Sequence, residues 1–262
     1  MIKKIIKICC LIIAQYYVCA QEIKVIAPDI AGTFNNFSKK NDYNTTRSLR
    51  DLGREGRVVE EIISCMKLKL TFTIAPYGRH AKWFEENEKF DAAATISPDI
   101  KSKYFSSTPH IKYSNGVSTL YSLNRRIESL SDLKGLRVIS FIGASTMLPK
   151  LKEAIPTFKS YVEKSSQELH TKMLVKSRVD AVISDGIIFA SHTKKLQREN
   201  ATDPDYFKPI KFSPIFDPIN FHMIFRKKSL QQSFNSCLRK LTNNGRLEKI
   251  NTSFLLEQIM NI

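Results

Sequence analysis

The chain has few of the residues that make metal or redox chemistry. It carries five cysteines, and Cys9, Cys10 and Cys19 all lie in the first twenty residues, leaving Cys65 and Cys237. No CxxC pair occurs. The five histidines, His80, His110, His170, His192 and His222, show no HxxxH or HExxH spacing. Neither a metal site nor a cofactor is therefore expected. No Ser–His or Cys–His pair with an orienting acid is evident, which argues against nucleophilic catalysis. Blocks of like charge are missing too. Lysine and arginine number 41 against 25 acidic residues, a formal net charge of +16, but they are scattered in pairs such as Arg125-Arg126, Lys194-Lys195 and Lys227-Lys228. Without a basic block or an aromatic-basic RNA motif, a nucleic-acid partner is not expected. No apolar run reaches the roughly 20 residues that span a bilayer.

The start of the chain has the three parts of a secretory leader. Lys3, Lys4 and Lys7 form a positive region, Ile8 to Ile13 an apolar one, and Val18-Cys19-Ala20 a small-residue cleavage site before Gln21. Residues 1–20 are read as a signal peptide, leaving a protein with no stable membrane insertion. Cys65 and Cys237 sit among apolar residues at helical spacing and read as two small buried hydrophobes. An exported compartment permits a disulfide between them, but nothing in the sequence requires one.

Strand and helix patterns alternate along the remainder. Glu22 to Ala27, Leu70 to Ala75, Asp91 to Ile96, Arg137 to Ile142, Phe158 to Val162, Val179 to Ser184 and Asn220 to Phe225 read as strands. Val58, Val59, Ile62, Ile63 and Met66 mark a helix after Gly56. Further helices are expected over Tyr77 to Glu88, from a capping box at Ser165 to Glu168, over Ile187 to Gln197, and over Leu230 to Leu241 with a stop near Gly245. Trp83, in the middle of its helix, reads as core. The polar stretch from Gly32 to Asp51 is long for a loop and is expected near a site or lid. The alternation predicts α/β architecture with largely parallel sheets.

An ordered series of short runs resembles a known family. Gly56-Arg-Val-Val-Glu-Glu-Ile-Ile63 is followed by Pro76-Tyr-Gly-Arg79 and Phe90-Asp-Ala-Ala-Ala-Thr95. Then come Phe105-Ser106, Ser129-Leu-Ser-Asp-Leu-Lys-Gly-Leu-Arg-Val138 and Gly143-Ala-Ser-Thr146. Ser177-Arg-Val-Asp-Ala-Val-Ile-Ser-Asp185 and Phe221-His-Met-Ile-Phe-Arg-Lys227 close the series. The sequence resembles the family 3 extracellular solute-binding proteins of bacterial ABC importers. The resemblance implies a periplasmic-binding-protein-like fold of two α/β lobes joined by two crossover segments, with a ligand cleft between them. Lobe 1 would take 21–117 plus 214–262, and lobe 2 would take 118–213. It further implies a periplasmic, monomeric, non-enzymatic protein that closes by a hinge on a small polar solute, an amino acid or related carboxylate. An inner-membrane ABC permease would be its partner. Two other functions fit the same fold: an exported dehydratase using Glu60, Glu61 or Asp185, and a solute sensor docking on a membrane receptor.

The resemblance also implies a set of ligand-binding residues. Thr95 and Ser97 fall at the strand end that faces the cleft in amino-acid binders. The arginine expected to clamp a ligand carboxylate there is Ile100, so Lys101 or Lys103 would stand in as a point charge. Tyr77, Phe34 and Tyr113 are candidates to pack on the ligand body, with core packing the more common role for any one of them. Arg79 is either a cleft residue or a surface arginine paired with Glu85 or Glu86. Ser145 and Thr146 are placed to hold an anionic group through the Gly143 turn. Asp185 would take a ligand ammonium or cap the next helix.

Overall fold

A computed structural model describes residues 21–30, 33–34, 52–97 and 103–260. The expected leader, Ile100 and Lys101 lie outside the described residues, as does nearly all of the polar stretch before Leu52.

The strands are β1 (Glu22–Pro28), β2 (Lys69–Ala75), β3 (Ala92–Ile96), β4 (Phe105–Ser106), β5 (Ile111–Tyr113), β6 (Asn115–Leu120), β7 (Arg137–Phe141), β8 (Ser160–Lys164), β9 (Ala181–Asp185), β10 (Ile210–Ser213) and β11 (Ile219–Phe225). The helices are α1 (Arg54–Cys65), α2 (Arg79–Glu86), α3 (Ala144–Met147), α4 (Leu151–Ala154), α5 (Gln167–Val175), α6 (Gly186–Glu199), α7 (Lys228–Asn243) and α8 (Arg246–Met260). They build a mixed α/β protein with two sheets. The first runs β2-β1-β3-β11-β4, with β5 also on β11, and the second runs β10-β6-β9-β7-β8. Each has a parallel centre, β2-β1-β3 and β8-β7-β9, because a helix returns the chain between those strands. The strands that carry the chain between sheets, β11 in the first and β6 and β10 in the second, pair antiparallel. The chain changes sheet at Ser114 and again between Ser213 and Ile219.

The first sheet packs on α1, α7 and α8 through Val25, Val59, Ile62, Phe225, Phe234 and Leu241, all buried. In α1 the apolar residues recur at the helical period predicted from sequence, and they fill the sheet face. The second sheet has a smaller core around Val117, Leu133, Val138 and Ile183. Gly116 lies at the first crossover. A Cβ there would meet the Ser213 carbonyl oxygen at 2.4 Å, so β6 and β10 can approach only because the residue is glycine.

Several expectations change. Cys65 and Cys237 are not two separate apolar residues. They form a disulfide that ties the end of α1 to α7, with Cα atoms 5.9 Å apart and 172 residues between them in sequence. Trp83 is 38% exposed rather than core, because α2 turns it outward while His80 and Phe84 are buried. The helix start after β8 is capped by Ser166, whose hydroxyl accepts from the Leu169 N–H at 3.3 Å. The carboxylate of Glu168 goes to Lys172 and Lys195 instead of closing a capping box. Past Gly245 the chain resumes as α8, a helix the sequence reading did not foresee.

Candidate ligand cleft

Both sheets turn the carboxyl ends of their parallel strands toward one cleft of about 440 Å³. This is where open α/β sheets bind ligands, because the chain leaves each strand there in a loop that can vary independently of the scaffold. The first sheet lines the cleft with Asp29 and Ile30 after β1, Pro76 and Tyr77 after β2, Thr95 in β3 and Tyr113 ending β5. The second sheet and its helices line it with Phe141 and Ile142 after β7, Ser165 to Glu168 after β8, Asp185 ending β9, and Ile188 and His192 on α6. The volume suits a solute of amino-acid size. Among the described lining residues the charged ones are Asp29, Glu168 and Asp185, all acidic.

Of the residues singled out from sequence, Tyr77, Thr95, Tyr113 and Asp185 meet in this cleft. Ser97 is buried just past β3 without lining it. Arg79 is exposed at the start of α2 and does not line it either. Its expected partner Glu86 pairs with Lys82 instead. Lys103 is exposed and lies over the Tyr104 ring, 5.3 Å from its centre. Phe34 is fully buried in the first core. Glu61 accepts from Arg246 of α8 and does not line the cleft.

The turn expected to hold an anion is already occupied. The N–H groups of Gly143 and Ser145 donate to the two carboxylate oxygens of Glu163 at 2.7 and 2.8 Å. Tyr161 adds its hydroxyl to the same carboxylate at 2.8 Å. Burial pushes the Glu163 carboxyl up, but the bonds from Ser145, Tyr161 and Gly143 outweigh it, and it is held below the usual range. Glu163 faces Ser140 across the β7–β8 ladder, so the pairing register puts an internal carboxylate where a ligand anion was expected. Ser145 and Thr146 do not line the cleft, and Thr146 is exposed.

Asp185 caps α6. Its Oδ1 accepts from the N–H groups of Ile187 and Ile188 at 2.9 and 3.0 Å, and its Oδ2 from Ser114 at 2.7 Å. One carboxylate thus ties a helix start to the first crossover. Burial raises its carboxyl above the usual range, and those amides and Arg54 offset the rise only in part.

The sequence reading missed a buried network behind the first sheet's wall. Glu55, in the first turn of α1, is fully buried. Its Oε2 accepts from the hydroxyls of Thr95 at 2.9 Å and Tyr113 at 2.7 Å, and its Oε1 meets His110 Nε2 at 2.8 Å. Burial raises the Glu55 carboxyl, yet His110, Tyr113 and Thr95 together bring it below the usual range. The Tyr113 phenol is pushed well up, by burial first and by Glu55 next. The carboxylate therefore stays ionised and the phenol stays protonated. Arg54 stacks on the Tyr113 ring, 4.8 Å from its centre, and donates to the Lys112 carbonyl at 2.8 Å. Thr95 has φ 56°, a left-handed conformation costly for a β-branched residue, on the order of 1–3 kcal/mol. It falls where β3 uses one more residue than β11 between paired positions, so the strain belongs to a bulge that aims the hydroxyl at Glu55. A signal for Glu55 was present in the sequence. It continues the stripe of Val58, Val59 and Ile62, so it was an acid on an apolar helix face.

The fold is that of the periplasmic binding proteins. No family model matches the chain, and no curated protein matches it. Solved structures do. An amino-acid ABC transporter substrate-binding protein, AbpA from Streptococcus pneumoniae bound to L-arginine, superposes with a TM-score of 0.66 at 17% identity, covering 92% of this chain and 96% of its own. An ancestral amino-acid-binding protein, a precursor of cyclohexadienyl dehydratase, gives 0.65 at 17% identity, covering 89% and 95%. A histidine kinase sensor domain with similarity to periplasmic binding proteins gives 0.65 at 14% identity, covering 90% and 97%. At these identities the likeness establishes the fold, and the function has to be argued from the cleft. Among the described residues, no helix is long and apolar enough to cross a membrane, and no cluster of His, Cys, Asp or Glu is arranged to hold a metal.

Proposed function

We propose that this protein is an extracytoplasmic solute-binding protein of the family 3 type, which captures a small polar solute of the amino-acid class and delivers it to an ABC permease. The observation that carries this is the placement of a cleft of about 440 Å³ between two sheets connected by two crossovers, lined from both sides by strand ends. Closing the lobes about Ser114 and the 214–218 segment would enclose the solute, as in other hinge-closing binders. The division into lobes at 21–117 plus 214–262 and at 118–213 belongs to this proposal, and so do Tyr77, Thr95 and Asp185 as ligand contacts. Binding is favoured over turnover because the carboxylates nearest the cleft are held by internal partners. Asp185 takes three backbone N–H groups, and Glu168 takes two lysines.

The test is a calorimetric screen of the purified protein against amino acids, small carboxylates and short oligopeptides, with melting temperature read in parallel. One solute is expected to bind near micromolar and raise the melting temperature. Small-angle scattering should then show a smaller radius of gyration with solute than without. The reading falls if no solute binds.

A further inference from the structure

A hydroxyl has one hydrogen to give and two lone pairs to offer. In Thr95 and Tyr113 that hydrogen is already committed to Glu55, at 2.9 and 2.7 Å. An ionised carboxylate can only accept, so neither bond can reverse direction. Both residues line the cleft. A ligand that reaches either oxygen therefore meets an acceptor. On the facing wall, Gln167 contributes a buried side-chain oxygen with no hydrogen-bond partner among the described residues. The amides of the Gly143 turn, which would suit an anion, are held by Glu163. The described lining includes three carboxylates and no lysine or arginine, and Arg54, which is not among the lining residues, stacks on the Tyr113 ring with an N–H on the Lys112 carbonyl.

We propose that Glu55 is a specificity-determining positioning residue: by fixing Thr95 and Tyr113 as acceptors, it makes this wall take a cationic, N–H-bearing head group, an ammonium or guanidinium, and turn away a carboxylate. The inference rests on the solute-binding reading above and names the chemical class of that solute. Glu55 acts from behind the wall, and the ligand touches the two hydroxyl oxygens. A carboxylate placed there would set its lone pairs against theirs, with no hydrogen between them.

The test compares two probes of equal carbon length, 1,5-diaminopentane and glutarate, by calorimetry on the purified protein, with L-arginine against L-glutamate as a second pair. The cationic member of each pair is expected to bind at least roughly tenfold tighter, the scale of one hydrogen bond to a charged group. Glu55→Gln then reads the positioning role. His110 Nδ1 is buried with no hydrogen-bond partner among the described residues, so Nε2, 2.8 Å from Glu55 Oε1, is assigned as the donor and faces the new carboxamide oxygen. The carboxamide NH2 then faces Thr95 and Tyr113 and turns their hydrogens toward the cleft. The preference for the cation should shrink about tenfold or more, whereas a purely structural role would weaken both probes equally. If Glu55→Gln does not fold, Tyr113→Phe decides. It should weaken 1,5-diaminopentane and leave glutarate unchanged, with Thr95→Ser retaining the wild-type preference. Equal loss for both probes, or tighter binding of glutarate in the unmodified protein, overturns the inference while leaving solute binding intact. Failure of every probe and every amino acid removes the solute-binding reading itself.

Discussion

In the proposed lobe 1 the polar groups at the cleft wall are buried, with Glu55 and His110 behind Thr95 and Tyr113, which line it. Glu55, His110, Thr95 and Tyr113 are all buried and close a network among themselves. In the proposed lobe 2 Asp185 is likewise buried, but the charges around Glu168 reach water. Glu168, Lys172 and Lys195 are partly exposed on α5 and α6, and Lys176 holds Asp203 and Asp205 at the surface. Lobe 1 also carries the disulfide, from α1 to α7. The outer strand of lobe 2, β8, buries no residue fully. Buried networks fix geometry because an unmet partner is costly, whereas exposed pairs contribute little. The comparison assigns lobe 1 the fixed wall and lobe 2 the more yielding one, a division that suits a binder in which one half closes on the other.

The sharpest way to break this asymmetry is to remove the disulfide. Cys65→Ser should cost about 2–5 kcal/mol, because the bond closes a very long loop in the unfolded chain. The single tryptophan, Trp83, lies in lobe 1 and reports on it. Its fluorescence transition in urea should move to lower urea in the variant, and the same shift should follow from reductant on the unmodified protein. If only lobe 2 loosened, as read by hydrogen exchange in Ala181–Asp185 against Ala92–Ile96, the assignment of rigidity to lobe 1 would be wrong.

Acid should act the other way round, more on lobe 2. Burial lowers His170 and His192 from 6.5 to about 4, and His192 also feels Glu168, which raises it, and His170 and Lys195, which lower it. A histidine held neutral by the fold binds its proton more readily when unfolded. Stability is therefore complete above pH 6.5 and is lost as pH falls toward 4. Asp185, raised by burial, opposes this, since its protonation on acidification favours the fold. Lobe 1 has two such histidines: His80, lowered by burial to about 4, and His222, lowered by burial and by His110. Between pH 7 and 5 the two lobe 2 histidines should together cost on the order of 3–4 kcal/mol before the Asp185 offset, and β9 amides should exchange faster before β3 amides do. Simultaneous change in both lobes would show that they unfold as one unit.

Much of the fold was legible because it rests on periodicity. The helical stripe of Val58, Val59 and Ile62 and the strands around Val25, Ala93 and Ile183 announced themselves, since burial on one face dictates spacing. What escaped depended on long-range contact. The Cys65–Cys237 pairing spans 172 residues, and no local pattern reports that distance. The helix α8 was hidden by its weak amphipathicity. In the cleft, Asp185 and Thr95 could be placed because strand ends are local features. Glu163 could not be foreseen in the Gly143 turn, since only the β7–β8 register brings it there. Glu55 was visible as an acid on an apolar stripe, but its partners come from β3 and from the segment leading into and through β5.

The smallest effect tests the yielding half directly. Glu168 lines the cleft, and although burial raises its carboxyl, Lys172 and Lys195 bring it down to about 2, so it is ionised at any working pH. Lys195 bonds it at 2.5 Å and also reaches Glu199 at 3.1 Å. If these pairs are as weak structurally as partly exposed pairs elsewhere, Lys195→Gln should change stability by less than about 1 kcal/mol. It would nonetheless remove one positive charge from beside the cleft and leave Glu168 less neutralised. A cationic solute should then bind about two- to fivefold tighter at low salt, with the gain shrinking as salt rises because the added attraction is screened. A large stability loss without any affinity change would mean that lobe 2, like lobe 1, depends on its charges for structure, and the contrast between the two walls would collapse.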